Sequence, residues 1–356
     1  MFVGGEFYYE DKWLRKELTI TTDGMYFLAG GQACLLVIGG YLRARNIQRV
    51  LLPSYLCPSI LTALGHCGLA FDFYRVNEDL SIELDDLARK AAAHQALYFI
   101  NYFGFSPAAE VLGFFQTMQK YGKLVIEDNA QAGFASHPSG DFVFNSLRKL
   151  APYDGGYLLT RHDMQPHIEP YRGRPNRRLP VIRAYRRRLP AYLFSDEDDY
   201  DELERLFRLS EEYYAEDFCV TGDPEERANI ECLDWEGIRR ARRENYNYLL
   251  ELIAPIQEIE PIFPALQDDN QPLGLPVYVN GVSRDAVYEQ LGIAEIGLPI
   301  HWEEIRHHPA TCGDQLAVQM AGSMLTLVID QRTSREQLDY LAAQLKRAVG
   351  IAKKNI

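Results

Sequence analysis

The sequence predicts an α/β protein organised around a doubly wound, mostly parallel sheet. Short β-branched or aromatic runs alternate with stretches of helical periodicity through the first 160 residues. Two of the apolar runs end in polar or acidic residues, as expected of strands whose carboxyl ends form a ligand-binding edge. Pro107 and Gly122 bracket a helical pattern in the order that favours proline at a helix start and glycine past its end.

Taken in order, Thr21 to Phe27 leads into Leu28-Ala29-Gly30-Gly31-Gln32-Ala33-Cys34, and Leu35, Leu36, Ile38 and Leu42 recur with helical spacing. A glycine pair before a helix can offer backbone N–H groups to a phosphate, although alone it equally describes an ordinary loop. The next strand is Arg49 to Pro53, followed by the loop Ser54-Tyr55-Leu56-Cys57-Pro58 and a helix over about 59–66. Residues 70–76 and 96–102 read as further strands, with a helix over 82–94 between them. Asn101 ends the second run at the carboxyl edge, where it could face a cofactor or substrate, though turn formation beside Gly104 explains it without a ligand.

The central stretch is KLVIEDNAQAGFASHPSGDFVFNSLRKLAPYDGG, residues 123–156. Residues 123–126 read as a buried parallel strand delivering Glu127 and Asp128 at its carboxyl edge. Residues 142–144 form a second such strand, running through Asn145 and Ser146 into Leu147-Arg148-Lys149. Asp154-Gly155-Gly156 turns the chain back into 157–160. An acid and an amine are thus presented on neighbouring strand ends. Beyond this, 161–190 is rich in arginine and 195–204 in carboxylates; most of these charges read as solvated, mutually paired faces, with an anion site as the alternative. Residues 229–252 have the pattern of one long helix with a basic stripe. The remainder forms an α+β unit in which Ser334 to Gln337 fits a capping box. Residues 1–228, including the variable segment 161–217, are expected to form a large domain, and 229–356 a linking helix and a small one.

A formal charge of −13 argues against nucleic-acid or anionic-membrane binding, since both need a basic footprint. The six cysteines are scattered without metal-ligand spacing and read as reduced thiols, so no metal site is expected. No targeting segment is apparent, and no apolar run approaches the ~20 residues of a membrane helix, which leads to the expectation of a cytoplasmic protein.

The pairing of Asp128 with Lys149 suits pyridoxal phosphate chemistry. A lysine amine forms a Schiff base with the cofactor aldehyde, and a carboxylate beside the pyridine nitrogen keeps it protonated so that the ring accepts electrons. As isolated residues, Asp128 would read as a helix cap or ion-pair partner and Lys149 as a surface lysine.

Several motifs then carry a resemblance over nearly the whole chain: GGEFYY, AGGQAC, VLLPSYLCPS, FINYFG, EDNAQAG, S-L-R-K-x-x-P-x-D-G-G, DWEGIRRARRENY and LPIHW. In this order they resemble the DegT/DnrJ-type nucleotide-sugar aminotransferases, fold-type I pyridoxal phosphate enzymes. The resemblance implies a large domain with a mostly parallel, seven-stranded type of sheet flanked by helices, and a smaller C-terminal α+β domain. It also implies a homodimer with shared active sites and ping-pong transfer of an amino group from a donor such as glutamate to a keto sugar nucleotide. Lys149 would hold the cofactor and Asp128 its ring nitrogen. Gln131 would lie near the phenolic oxygen, and Gly31, Gln32 and Ser146 would hold the phosphate. Relatives usually have a hydroxyl residue where Gly31 stands and an aromatic where Cys57 stands, so ring stacking would pass to Tyr55, which reads equally as a core-facing loop tyrosine. His301 in LPIHW recurs in relatives but as a lone histidine reads as a packing residue. Two other outcomes stay open: sugar dehydration or other chemistry on the same cofactor, for which relatives carry histidine in place of the lysine, and a non-catalytic dimer that retains the fold.

Overall fold

In chain order the elements of the computed structural model, which describes residues 1–134, 137–195 and 199–355, begin with β1 (Val3–Gly4), β2 (Met25–Leu28), α1 (Gly31–Ala44), β3 (Arg49–Pro53), α2 (Pro58–His66) and β4 (Ala70–Tyr74). Next come α3 (Leu84–Ala91), β5 (Ala96–Ile100), α4 (Ala109–Lys120), β6 (Leu124–Asn129), β7 (Phe142–Asn145), β8 (Gly156–Thr160) and α5 (Gln165–Ile168). The helices α6 (Arg178–Phe194), α7 (Tyr200–Glu216), α8 (Pro224–Glu231) and α9 (Trp235–Ile253) follow. The last elements are β9 (Ile259–Pro261), β10 (Leu275–Val279), α10 (Arg284–Ile293), β11 (Ile296–Gly297), α11 (Gln315–Ser323), β12 (Met324–Leu327) and α12 (Arg335–Ala352).

Seven strands form the main sheet, in the order β2-β8-β7-β6-β5-β3-β4. All neighbours from β4 to β7 are parallel, and β8 runs against both β7 and β2. The expected mostly parallel sheet is therefore present. Its central strands are apolar along their length because helices cover both faces: every residue of β5 is buried, and α1 buries Leu35, Leu36, Val37, Ile38 and Leu42 against the sheet. A three-stranded antiparallel sheet, β12-β10-β9, lies in the last hundred residues. There too β1 pairs in parallel with β11, Val3 opposite Ile296.

Local capping explains where the helices depart from the periodicity. The expected helix over 82–94 is confined to α3, because Glu83 accepts the N–H groups of Asp85 and Asp86 and starts the helix late. The expected single helix over 229–252 is two, α8 and α9, since the Asp234 side chain accepts the Gly237 N–H and begins a new helix. The capping box of Ser334 and Gln337 forms as read, with both reciprocal hydrogen bonds. In the acidic run 195–204, residues 196–198 lie outside the described residues, and the rest leads into α7. The arginine-rich stretch becomes α6, whose Arg178, Arg183 and Arg186 pair with Asp154, Asp223, Glu226 and Glu6.

Candidate active site

The β6–β7 register carries Asp128 and Asn129 to the sheet's carboxyl edge opposite Phe144 and Asn145. From Asn145 the chain passes through Ser146 into a single 3-10 turn, Leu147–Lys149. Leu147 and Leu150 are fully buried in an apolar cluster with Tyr157, Ile230, Trp235 and Ile238. Anchored on both sides by these leucines, the turn leaves Arg148 and Lys149 only partly buried, on the wall of a cavity of about 390 Å3.

Asp128, near the end of β6, is 4% exposed; its Oδ2 accepts the Tyr98 hydroxyl at 2.5 Å and its Oδ1 the Ala130 N–H at 2.7 Å. Burial pushes this carboxyl above the usual range, against the hydrogen bonds from Tyr98 and Ala130 and the positive charge of Lys149. Burial likewise lowers the Lys149 amine, while the Cys57 thiol and Asp128 favour its charged form and Arg148 disfavours it. Acid and amine are close enough for each to shift the other, which is the pairing expected from the two strand ends.

The other predicted residues fall into three places. Gly31 opens α1 directly against Ser146: a Cβ added there would stand 3.2 Å from the Ser146 Cβ. The start of α1, where the first-turn N–H groups have no partner within the helix, thus lies beside Ser146, and these are the groups the resemblance names for a phosphate. Gln131 is 1% exposed; its Oε1 accepts the Phe103 N–H at 2.8 Å, whereas its buried Nε2 has no partner among the described residues. An orphaned donor of this kind calls for an acceptor beyond those residues. Tyr55 is fully buried among Tyr102 and Trp302, and its hydroxyl donates to the His301 carbonyl. It thus lies in the core, and Cys57, on the same loop, is the residue whose thiol acts on the Lys149 amine.

Three further residues complete the site. Tyr98 orients Asp128. His301 lines the same cavity as Lys149 with its Nδ1 2.9 Å from the Thr326 Oγ1, and burial together with the Lys149 charge holds it neutral, at about 3. Arg242 stands on the same wall. The LPIHW motif is a sequence signal for His301. Arg242 falls in the DWEGIRRARRENY motif but is not singled out there, and Tyr98 has no signal, since their placing depends on sheet register and on packing between distant segments.

Gly156 holds these parts together. A Cβ at that position would lie 2.3 Å from the Asn145 carbonyl oxygen and 3.1 Å from the Gly30 carbonyl carbon. Gly156→Ala is therefore expected to push the α1 start away from Ser146, costing about 1–3 kcal/mol of stability. The same variant should bind inorganic phosphate more weakly, measurable by thermal shift with and without phosphate. An unchanged phosphate response would remove Gly156 from the anion site.

No protein-family model matches the chain, and no curated protein sequence matches it either. Solved structures do match. Spr1654 from Streptococcus pneumoniae in its PMP form superposes with a TM-score of 0.68 over 99% of this chain and 93% of that one, at 14% identity. Helicobacter pylori PseC, an aminotransferase involved in the biosynthesis of pseudoaminic acid, gives 0.66 over 92% and 87%, at 12% identity. A DegT DnrJ EryC1 StrS aminotransferase from Brucella abortus gives 0.60 over 92% and 86%, at 16% identity. The fold is thus that of the fold-type I aminotransferases. Among the described residues there is no helix long and apolar enough to cross a membrane and no group of three or more His, Cys, Asp or Glu placed to hold a metal ion.

Proposed function

We propose that this chain is a pyridoxal phosphate-dependent aminotransferase of the DegT/DnrJ type, moving an amino group from an amino acid such as glutamate to a keto sugar nucleotide. The observation that carries the reading is Lys149, an amine whose pKa burial lowers, on a cavity wall and near enough to the buried Asp128 for the two to shift each other. The fold shared with solved aminotransferases supports it, as does Gln131 Nε2, which has no partner among the described residues.

Bound here, pyridoxal phosphate supplies an aldehyde that exchanges one amine for another and a ring that accepts the electron pair released at the donor's α-carbon. The protein's share is positional. The amides of Gly31 and Gln32 with the Ser146 hydroxyl would hold the phosphate, and Gln131 Nε2 would donate to an oxygen on the ring. Asp128, fixed by Tyr98 and Ala130, would place negative charge beside the ring nitrogen. Lys149 Nζ would take the proton from the donor's α-carbon and deliver it to the carbon on the other side of the amine nitrogen, a role its lowered basicity favours. The apolar walls limit water, which protects the exchange from hydrolysis. We further propose a homodimer with shared sites, in the cytoplasm, with the large and small domains divided near residue 228.

Purified protein supplied with pyridoxal phosphate should gain a visible absorption band that bleaches on adding glutamate as 2-oxoglutarate appears. The band should return when a keto sugar nucleotide is aminated. Full cofactor loading with no amination of any keto sugar nucleotide would defeat the assignment of the acceptor; no band at all would defeat the assignment of the cofactor.

A further inference from the structure

Beside the first turn of α1 lies a second, smaller cavity of about 30 Å3, lined by Gly30 and Gln32 of that turn and by Asp154, Arg178 and Asp217. It has room for a group about the size of one water, as a single phosphate oxygen is. Nothing on the helix itself neutralises this end. The N-cap is Gly30, with no side chain to accept an N–H, and the first turn carries no acidic residue. The Ser146 hydroxyl flanks the same turn, 3.6 Å from where a Cβ on Gly31 would stand.

Both carboxylates that line the cavity are already engaged. Asp217 is held by Arg177, and Asp154 accepts Arg178 and Arg186 at 2.9 Å each. Arg178, by contrast, has a donor left over. The residue is 4% exposed; its Nε donates to the Asp154 Oδ2 at 2.9 Å, and its Nη1 to the Ser210 Oγ at 3.0 Å and the Glu211 Oε1 at 2.9 Å. Its Nη2 is buried and has no partner among the described residues. A guanidinium donor shut away from water without an acceptor is costly, and an anion in the cavity supplies one. The surrounding charge points the same way. Arg148, Arg178 and Arg186 all act on Asp154, while the other carboxylates that pair with them, Glu6 and Glu211, are partly exposed. Arg148 and Arg178 also lie over the Tyr214 ring, at 4.4 and 5.4 Å from its centre, and a ring face leaves their charge in place where a carboxylate would cancel it.

We propose that Arg178 and the start of α1 form one site for a phosphate monoester, with Nη2 as its side-chain donor. The identity of the ligand rests on the aminotransferase reading, under which it is the phosphate of pyridoxal phosphate. The dianion then meets helix amides and a guanidinium together, at a turn where Gly31 supplies no hydroxyl. The cation comes from the first residue of α6, a helix that none of the motifs of the resemblance covers.

The test compares pyridoxal phosphate with pyridoxal, which lacks the phosphate, each titrated into the full chain and followed by quenching of tryptophan fluorescence. Arg178→Met is expected to weaken pyridoxal phosphate on the order of 100-fold and to leave pyridoxal unchanged. Arg178→Lys keeps a charge beside Asp154 but lacks Nη2. It should weaken pyridoxal phosphate by about 10-fold with the same selectivity, and it decides the matter if Arg178→Met fails to fold. Arg183→Met, on the same helix but paired with Asp223 and Glu226, should leave the preference for the phosphorylated ligand where it was. Equal weakening of both ligands by the Arg178 variants, no weakening, or as large a loss of preference in Arg183→Met overturns the proposal. The visible band is recorded on each sample. A band in wild type with an unchanged preference in Arg178→Lys leaves the aminotransferase reading standing and removes Arg178 from the phosphate. With no band in wild type that reading fails, and inorganic phosphate is titrated instead. A melting midpoint raised by phosphate in wild type but not in Arg178→Lys upholds the anion site, and an equal response in the two overturns it.

Discussion

Lys149→Ala is expected to lower turnover by about 10^4-fold and to abolish the visible absorption band formed with pyridoxal phosphate. The loss should be chemical. Lys149 is partly buried with its charge disfavoured, and its neighbours Leu147 and Leu150 keep their places in the apolar cluster, so the melting midpoint should move little. Absorption spectra and single-turnover rates with glutamate, taken beside thermal denaturation, separate the two effects. A band that survives in Lys149→Ala would mean another amine holds the cofactor. Activity within ten-fold of wild type would remove the lysine from the chemistry.

Asp154→Asn is expected to carry the largest stability cost, about 3–5 kcal/mol. Asp154 accepts Arg178 at 2.9 Å and Arg186 at 2.9 Å, all three side chains being buried, and Arg148 lies near enough to add to the field. Burial alone would raise this carboxyl, but the charges of Arg186, Arg178 and Arg148 outweigh it and hold the group at about 2. A carboxyl depressed on folding stabilises the protein above its unfolded pKa and stops doing so as pH falls through the folded one. Its contribution, about 2–3 kcal/mol from a shift of this size, should therefore be complete above about pH 4 and fade between about pH 4 and pH 2. Denaturant titration of wild type and Asp154→Asn across that range checks both points. The wild-type advantage should shrink toward the acid end, and a constant difference would exclude the ion pairs as its source.

The sheet was legible because its signals are local. The runs that became β3, β5, β6 and β7 are apolar through their middles, which is what burial on both faces demands, and the polar ends of β6 and β7 mark the ligand edge. The nearness of Asp128 and Lys149 could be read for the same reason, each standing at the end of one of two adjacent parallel strands. What stayed hidden depends on contacts far apart in sequence. Tyr55 offered two readings, and what occupies its hydroxyl is a backbone carbonyl 246 positions away. Arg242 was visible only as part of a basic helical stripe; its place on the cavity wall, and its tie through Gln331 to a carbonyl 181 positions from that glutamine, are matters of packing. The break at Asp234 was missed because an aspartate at a helix start and one within a helix look alike until the backbone turns.

The pairing of β1 with β11 bears on how the protein is made. Gly5, Glu6 and Phe7 form part of the cavity wall, yet their partners lie at the far end of the chain: Gly297 accepts the Gly5 N–H at 3.0 Å, and Arg332 donates to the Glu6 carbonyl at 2.9 Å. A ribosome releases this wall first and its support last, roughly fifteen seconds or more later at ordinary elongation rates. The cavity therefore closes only on a finished chain, and a stalled product can acquire much of the parallel sheet without acquiring the pocket that would retain a cofactor.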